Sequence, residues 1–376
     1  MTPAIRPPLE NLRIRGTQPL QPPAVLAREL PLDDAGADFV ARSRRAVEHI
    51  ILGQDDRLLV VVGPCSIHDS AAALEYARLL AEAAARYAAE LCVVMRAYVE
   101  KPRTVFGWKG LTNDPFLDGS FQVNTGLRLA RKLMLDLVEL HLPAATEFLD
   151  TTLGQYYADL ITWGVIGART VESQVHRALA SGLSMPVGFK NRTDGDVRVA
   201  IDALAAARQP HWFASVTPDG ASAVLGTVGN NLCHLVLRGG TRGTNYSAEH
   251  VEGAVGMLRQ AGLPPHLMVD CSHGNSRRDP ERQPVVAAEV AAQIAAGQRA
   301  ICGVMLESNL VGGAQECHPR RLAYGCSITD PCLGWDKTVP VLAQLAAAVR
   351  ERRARTRRPA DSDGHERAPV LVSPGK

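Results

Sequence analysis

The chain has 376 residues, 46% of them hydrophobic and 21% charged, the composition of a globular protein whose core needs no staples. Its 41 basic and 39 acidic residues leave a net charge of +2, which gives no electrostatic basis for nucleic acid as a partner. The longest apolar runs fall short of the ~18 residues of a membrane span, and the first ten residues lack the apolar middle of a secretory leader.

Residues 1–45 read as an extension, because seven prolines between positions 3 and 31 prevent a long helix. Within it, 11–16 (NLRIRG) suits a short strand, and 37–53 suits a helix closed by Gly53. From 46 to 351, strand-like and helix-like runs alternate. The strands are expected at 57–63, 91–97, 143–148, 164–168, 185–190, 211–216, 233–240, 266–272 and 299–307. Helices are expected at 69–88, 124–140, 153–163, 171–182, 196–208, 247–262, 284–297 and 338–353, the first capped by Asp69 or Ser70. A polar loop at 97–122 is too long for an ordinary connection and is read as functional.

This alternation predicts an α/β fold, a (β/α)8 TIM barrel with an N-terminal extension. Nine strands are one too many, so the 211–216 region is assigned to an extra hairpin outside the barrel. A doubly wound open sheet is the alternative. The barrel is favoured because polar residues end nearly every strand rather than those at one crevice. Residues 352–376 read as a basic, then Pro-rich disordered tail.

Eight apolar runs end on Cys65, Arg96, Glu147, Arg169, Lys190, Arg238, His273 and Glu307. One polar group past each strand end is the layout of a barrel active site. The segments GPCSIHD, DCSHGNS, VMLESNL and CSITDPC offer Cys65, His273, Glu307 and Asp330, a sulfur, nitrogen and carboxylate set that suits Mn, Fe, Co or Zn. These residues are far apart in sequence, so no local spacing rule supports them. Cys65 reads equally as a buried structural cysteine, His68 competes as a ligand, and Asp330 reads equally as a turn residue. Arg96, Lys101 and Arg103 cluster in RAYVEKPRT, and Arg169, Lys190 and Arg238 stand at three further strand ends. Each alone reads as a surface charge; together they suit an anionic, phosphorylated substrate. The eight cysteines form no CxxC pair, which favours reduced thiols in the cytoplasm.

At these residues the chain resembles the type I 3-deoxy-D-arabino-heptulosonate 7-phosphate (DAHP) synthases, in the subgroup that responds to aromatic amino acids. The resemblance rests on GPCSIHD, MRAYVEKPRTVFGWKGLTNDP, PAATEFLD, GVIGARTVESQVHRALASGL, PVGFKNRTDG, LRGG, NYS, DCSHGNS, GVMLESNLVGG and SITDPCLGW, in the family's order from about residue 10 to 350. It implies condensation of phosphoenolpyruvate (PEP) with erythrose 4-phosphate, the first step of the shikimate pathway. It also implies one divalent metal ion on Cys65, His273, Glu307 and Asp330. Arg96, Ala168, Arg169, Lys190 and Arg238 would hold PEP, with Glu147 beside it. Lys101, Pro102, Arg103 and Thr104 would receive erythrose 4-phosphate, and Lys101, His273 and Glu147 would serve the chemistry.

A sister enzyme, 3-deoxy-D-manno-octulosonate 8-phosphate synthase, is the alternative; KPRT at 101–104 favours the four-carbon aldehyde. A non-catalytic binding protein on a decayed barrel is a third reading, disfavoured because every implied catalytic residue is present. The resemblance further implies a homodimer or homotetramer. It also implies an aromatic-amino-acid pocket at Leu183, Ser184, Phe213 and Ser215, with Gly154 where several relatives carry proline. Leu183 and Phe213 read equally as core.

Overall fold

The computed structural model describes residues 9–318 and 321–357. After α1 (Pro23–Glu29) and α2 (Asp34–Ile51), strands and helices alternate through β1 (Leu58–Gly63), α3 (Ser70–Arg86), β2 (Leu91–Arg96), α4 (Val123–Glu139), β3 (Ala144–Glu147), β4 (Ile161–Ile166), α5 (Gln174–Ala180), β5 (Val187–Lys190) and α6 (Arg198–Ala207). A hairpin, β6 (Trp212–Val216) and β7 (Ser222–Gly226), precedes β8 (Cys233–Leu237), α7 (Ala248–Gln260), β9 (Leu267–Asp270), α8 (Gln283–Ala295), β10 (Ile301–Asn309), β11 (Leu333–Gly334) and α9 (Trp335–Arg357).

The sheet runs β1-β2-β3-β4-β5-β8-β9-β10 and closes through parallel pairing of β1 with β10, so eight parallel strands form a barrel. The antiparallel β6-β7 hairpin stands outside it, as expected, and the short β11 adds to the far end of β10. No described helix is long and apolar enough to cross a membrane.

Two cores hold the barrel. The outer one lies between strands and helices, with Val60, Val62, Val93, Leu235 and Leu306 facing Tyr76, Leu80, Leu133 and Val290. The inner one fills the barrel with Leu59, Val61, Val94, Trp163, Val236, Met268 and Met305. Trp163 decides the residue opposite. A Cβ on Gly188 would lie 2.5 Å from the indole Cζ2, so β5 must carry glycine there. The indole N–H donates to His234 Nε2 at 3.2 Å, and burial lowers that imidazole's pKa to about 4, which keeps it a neutral acceptor.

α2 closes the N-terminal end of the barrel. Val47, Ile50 and Ile51 join the inner core, and Arg44 donates to the carbonyls of Ala158 and Ile161. The expected boundary at residue 45 therefore falls inside a helix. The strand expected at 11–16 does not form; Asn11 adopts a left-handed conformation, and Leu12 and Ile14 are exposed. The helix expected at 153–163 is two short 3-10 turns, and β4 begins at Ile161. At the other end α9 continues to Arg357, so 352–357 belong to the barrel's last helix and not to a disordered tail. Residues 358–376 of that expected tail lie outside the described residues.

Candidate active site

Alternate residues along a strand face the same side, so the inner core predicts what emerges at the C-terminal rim. Two positions past Val94, Ala145, Val165, Val236, Met268 and Met305 stand Arg96, Glu147, Gly167, Arg238, Asp270 and Glu307. Two past Gly188 is Lys190. The polar residues are thus the last inward layer of the same strands that pack the interior. A Cβ on Gly167 would meet the Glu147 carboxylate, so a larger residue there would push that side chain aside. Ala168 and Arg169 follow Gly167 into the loop.

Three of the four proposed metal ligands form one cluster, and His273 stands beside it. One donor atom from each of Cys65, Glu307 and Asp330 lies within 4.8 Å of the others. His273 Nε2 stands 3.5 Å from Glu307 Oε1, while its Nδ1 faces Asp270 Oδ2 at 2.9 Å. Ser272 Oγ, which donates to Asp270 Oδ1, lies 2.7 Å from the same Nδ1. His68 is not part of this cluster; it lines a separate surface depression with Leu117 and Tyr324.

The donor set fits a divalent cation. The Lys101 ammonium already bridges two of its atoms, 2.8 Å from Cys65 Sγ and 2.8 Å from Asp330 Oδ2. Burial, and then the charge of Glu307, push the Cys65 thiol up to about 12. Thiolate ligation there requires a strong local cation. Against the upward push of burial, the Lys101 ammonium holds Asp330 well below the usual carboxylate range. Asp270 is held low in the same way by His273 and Lys190, the latter at 2.8 Å.

Next to the ligands is a cavity of about 80 Å3 lined by Glu147, Ala168, Arg169, Lys190, Arg238, His273, Glu307 and Asp330. Arg238 is buried and its Nε has no hydrogen-bond partner among the described residues. A network of three buried asparagines holds its backbone. Asn191 accepts from Arg238 N, Asn245 accepts from Gly239 N and donates to Asn191, and Asn275 donates to the carbonyls of Leu237 and Asp270.

Arg96 lies beneath the cavity rather than on its wall. Its guanidinium donates to Glu307 Oε1 at 3.0 Å and to the carbonyls of Pro64 and Cys65, and it stacks 3.9 Å over the Tyr98 ring. Of the KPRT segment, Lys101 is buried against Cys65 and Asp330, and Thr104 accepts from Arg169 Nε at 2.9 Å. Pro102 and Arg103 do not line the cavity, and Arg103 is exposed.

Sequence reasoning had not singled out Asp270, Gln283 or the asparagine network. Gln283 brackets Glu307 by accepting from its N–H and donating to its carbonyl. Asp270 was accessible through strand parity, two residues past Met268. Gln283 and the asparagines left no such signal.

A second cavity, of about 400 Å3, lies between α1 and the barrel wall; Gly154, Leu183 and Ser184 line it with Pro23, Arg44 and Arg131. Phe213 and Ser215 sit on β6 and are not among its lining residues, although Ser215 donates to the carbonyl of Thr151, which is.

Fold and site together define a barrel enzyme that combines a divalent-cation site with an anion pocket. The chain belongs to the DAHP synthetase I family, whose model matches residues 35–343. It is 55% identical over 345 residues to the Phe-sensitive phospho-2-dehydro-3-deoxyheptonate aldolase of Escherichia coli K12, covering 92% of this chain and 98% of that one. The tyrosine-inhibited enzyme of Schizosaccharomyces pombe is 49% identical over 350 residues, covering 92% and 94%. The solved structure of the Francisella tularensis SCHU S4 enzyme superimposes with a TM-score of 0.89 at 51% identity, over 90% of this chain and 99% of that one. The activity is that of a DAHP synthase, a transferase; neither the octulosonate synthase nor the non-catalytic reading finds support.

Proposed function

We propose that the cavity beside Cys65, His273, Glu307 and Asp330 is where PEP and erythrose 4-phosphate are joined, and that those four residues hold one divalent ion. The observation that carries this reading is the convergence of the Cys65, Glu307 and Asp330 donor atoms within 4.8 Å, next to the unpartnered Arg238 Nε. The mixed sulfur, nitrogen and oxygen set suits Mn, Fe, Co or Zn. When bound, such an ion supplies Lewis-acid polarisation of the aldehyde oxygen.

The chain's own groups do the rest. Arg169, Lys190 and Arg238 neutralise the PEP phosphate and carboxylate so that a second anion can approach. Arg96 acts from below by fixing Glu307. Carbon 3 of PEP attacks the aldehyde carbon, and the buried Lys101 ammonium donates a proton to the developing alkoxide. Carbon 2 becomes cation-like and is captured by water, with Glu147 orienting that water. The resulting hemiketal phosphate loses inorganic phosphate by C–O cleavage. Pro102, Arg103 and Thr104 receive the erythrose 4-phosphate end, with Thr104 tied to the PEP side through Arg169.

The cavity at Gly154, Leu183 and Ser184 takes Phe or Tyr as an inhibitor, with Ser215 tied to its lining residue Thr151. Its size and the names of the relatives support this. The exposed apolar residues Leu9, Leu12 and Ile14 of the extension and Trp212 and Val224 of the hairpin suit burial between copies in a homodimer or homotetramer. A cytoplasmic location fits the eight free cysteines, seven of them buried.

Phosphate release by the purified chain tests the reading. PEP with erythrose 4-phosphate gives turnover that a chelator abolishes and an added divalent ion restores. Equal turnover with arabinose 5-phosphate would overturn the substrate assignment.

A further inference from the structure

We infer that the N-terminal end of the barrel, opposite the active site, carries a binding site for an organic phosphomonoester, held by Arg299, Arg352 and His266. A cavity of about 420 Å3 opens there between the end of α2, the segments that enter β1, β9 and β10, and the last turns of α9. Its volume is that of a small-molecule site.

Four arginines line this cavity, and only two have acidic partners. Arg57 pairs with Asp55 at 2.6 Å, and Arg353 pairs with Asp56 at 2.5 Å. Those ion pairs account for the attachment of α9 and of the turn before β1. Arg352 and Arg299 are left over. Arg352 is 7% exposed and donates only to the main-chain carbonyl of Asp56. Arg299, exposed at the mouth, donates only to Thr356 Oγ1 at 3.2 Å. Neither meets a carboxylate among the described residues. A buried guanidinium with no carboxylate in contact is costly: burial lowers the pKa of Arg352 against the opposing charge of nearby Asp56, and the Arg299 and Arg353 charges lower it further.

His266 adds a third polar group. Its Nδ1 is buried and has no hydrogen-bond partner among the described residues. Burial lowers its pKa, so it is a neutral imidazole at pH 7. The ring packs against Gly53, where a Cβ would come within 3.3 Å of it.

Two guanidinium forks and an imidazole match a tetrahedral oxyanion. Ile50, Ile301 and Cys302 form the apolar part of the remaining wall, beside the carboxylates of Asp55 and Asp56, each already paired with an arginine. That apolar part selects a phosphate carried on a carbon skeleton over the free ion.

The active site also binds phosphate, so the test uses an Arg238→Ala background, with folding checked by its melting curve. Phenyl phosphate and inorganic phosphate are titrated calorimetrically into this variant and into Arg238→Ala/Arg299→Gln. Arg299 is exposed, so its replacement leaves no buried defect. One phenyl phosphate per chain is expected in the first variant and about tenfold weaker binding in the second. Arg352→Lys, which keeps the charge but loses the fork, weakens binding in the same way, while Arg299→Gln alone keeps the turnover of the parent enzyme. No binding in the Arg238→Ala variant, or equal binding with Arg299→Gln, overturns the site. Equal affinity for inorganic and phenyl phosphate overturns the organic part of the assignment.

Discussion

His273 Nδ1 faces Asp270 Oδ2 at 2.9 Å, and this pairing fixes which nitrogen of the ring is available. With Nδ1 carrying the proton toward the carboxylate, Nε2 presents its lone pair to the side where Glu307 and Cys65 lie. Asp270 is completely buried and also holds Lys190, so one carboxylate aligns the cation site with the anion pocket.

Asp270→Asn disturbs both. Metal affinity falls by about 10- to 100-fold, and the KM for PEP rises as Lys190 loses its partner. Metal titration of the purified variant measures the first effect, and unchanged affinity would remove Asp270 from this role.

Arg238 offers a buried, unpartnered Nε to the cavity. A charge-assisted hydrogen bond contributes about 1.5–3 kcal/mol, so Arg238→Ala raises the KM for PEP about 10- to 100-fold. The KM for erythrose 4-phosphate changes far less. Steady-state kinetics with each substrate varied in turn check this, and the opposite ranking would exchange the two subsites.

Glu100 is buried between the Tyr157 hydroxyl and the Asp150 N–H, and burial raises its pKa to about 7. The fold therefore favours the protonated form. That stabilisation is complete below the ordinary carboxylate pKa near 4.5 and is lost as pH rises through about 7. Glu100→Gln, which does not titrate, gains stability relative to the parent between pH 5 and pH 8, by up to about 3 kcal/mol. Urea unfolding across that range measures the difference, and a pH-independent difference would contradict the shift.

Gly188→Ala places a methyl 2.5 Å from Trp163 in the barrel interior. Overpacking of this kind costs about 1–3 kcal/mol. Thermal unfolding gives the number, and a neutral result would mean that the indole has room to move.

The barrel was legible because nearly every buried strand is a mostly apolar run followed by a polar or charged residue, a pattern that local sequence preserves. The site was legible at the same ends, where parity carries Val94 to Arg96 and Met305 to Glu307. What failed was set by tertiary pairing. Leu153–Trp163 has helical spacing, but Ile161–Trp163 is drawn into β4 by β3 and β5. Arg352 and Arg353 read as a solvated charge run, although both reach Asp56 across the barrel's base. The contacts of the Arg96 guanidinium with Glu307 and two loop carbonyls were not legible either, because no single sequence discloses a rotamer choice.

Cobalt titration of the metal-free chain, followed by sulfur-to-metal charge-transfer absorption, probes the convergence of Cys65 with His273, Glu307 and Asp330. One equivalent of cobalt should saturate the band in the parent chain, and Cys65→Ser should lose the band and most turnover together. A parent chain without the band, or a Cys65→Ser variant with full metal content and full turnover, would mean that the thiol is not a ligand and that the site is not the one described.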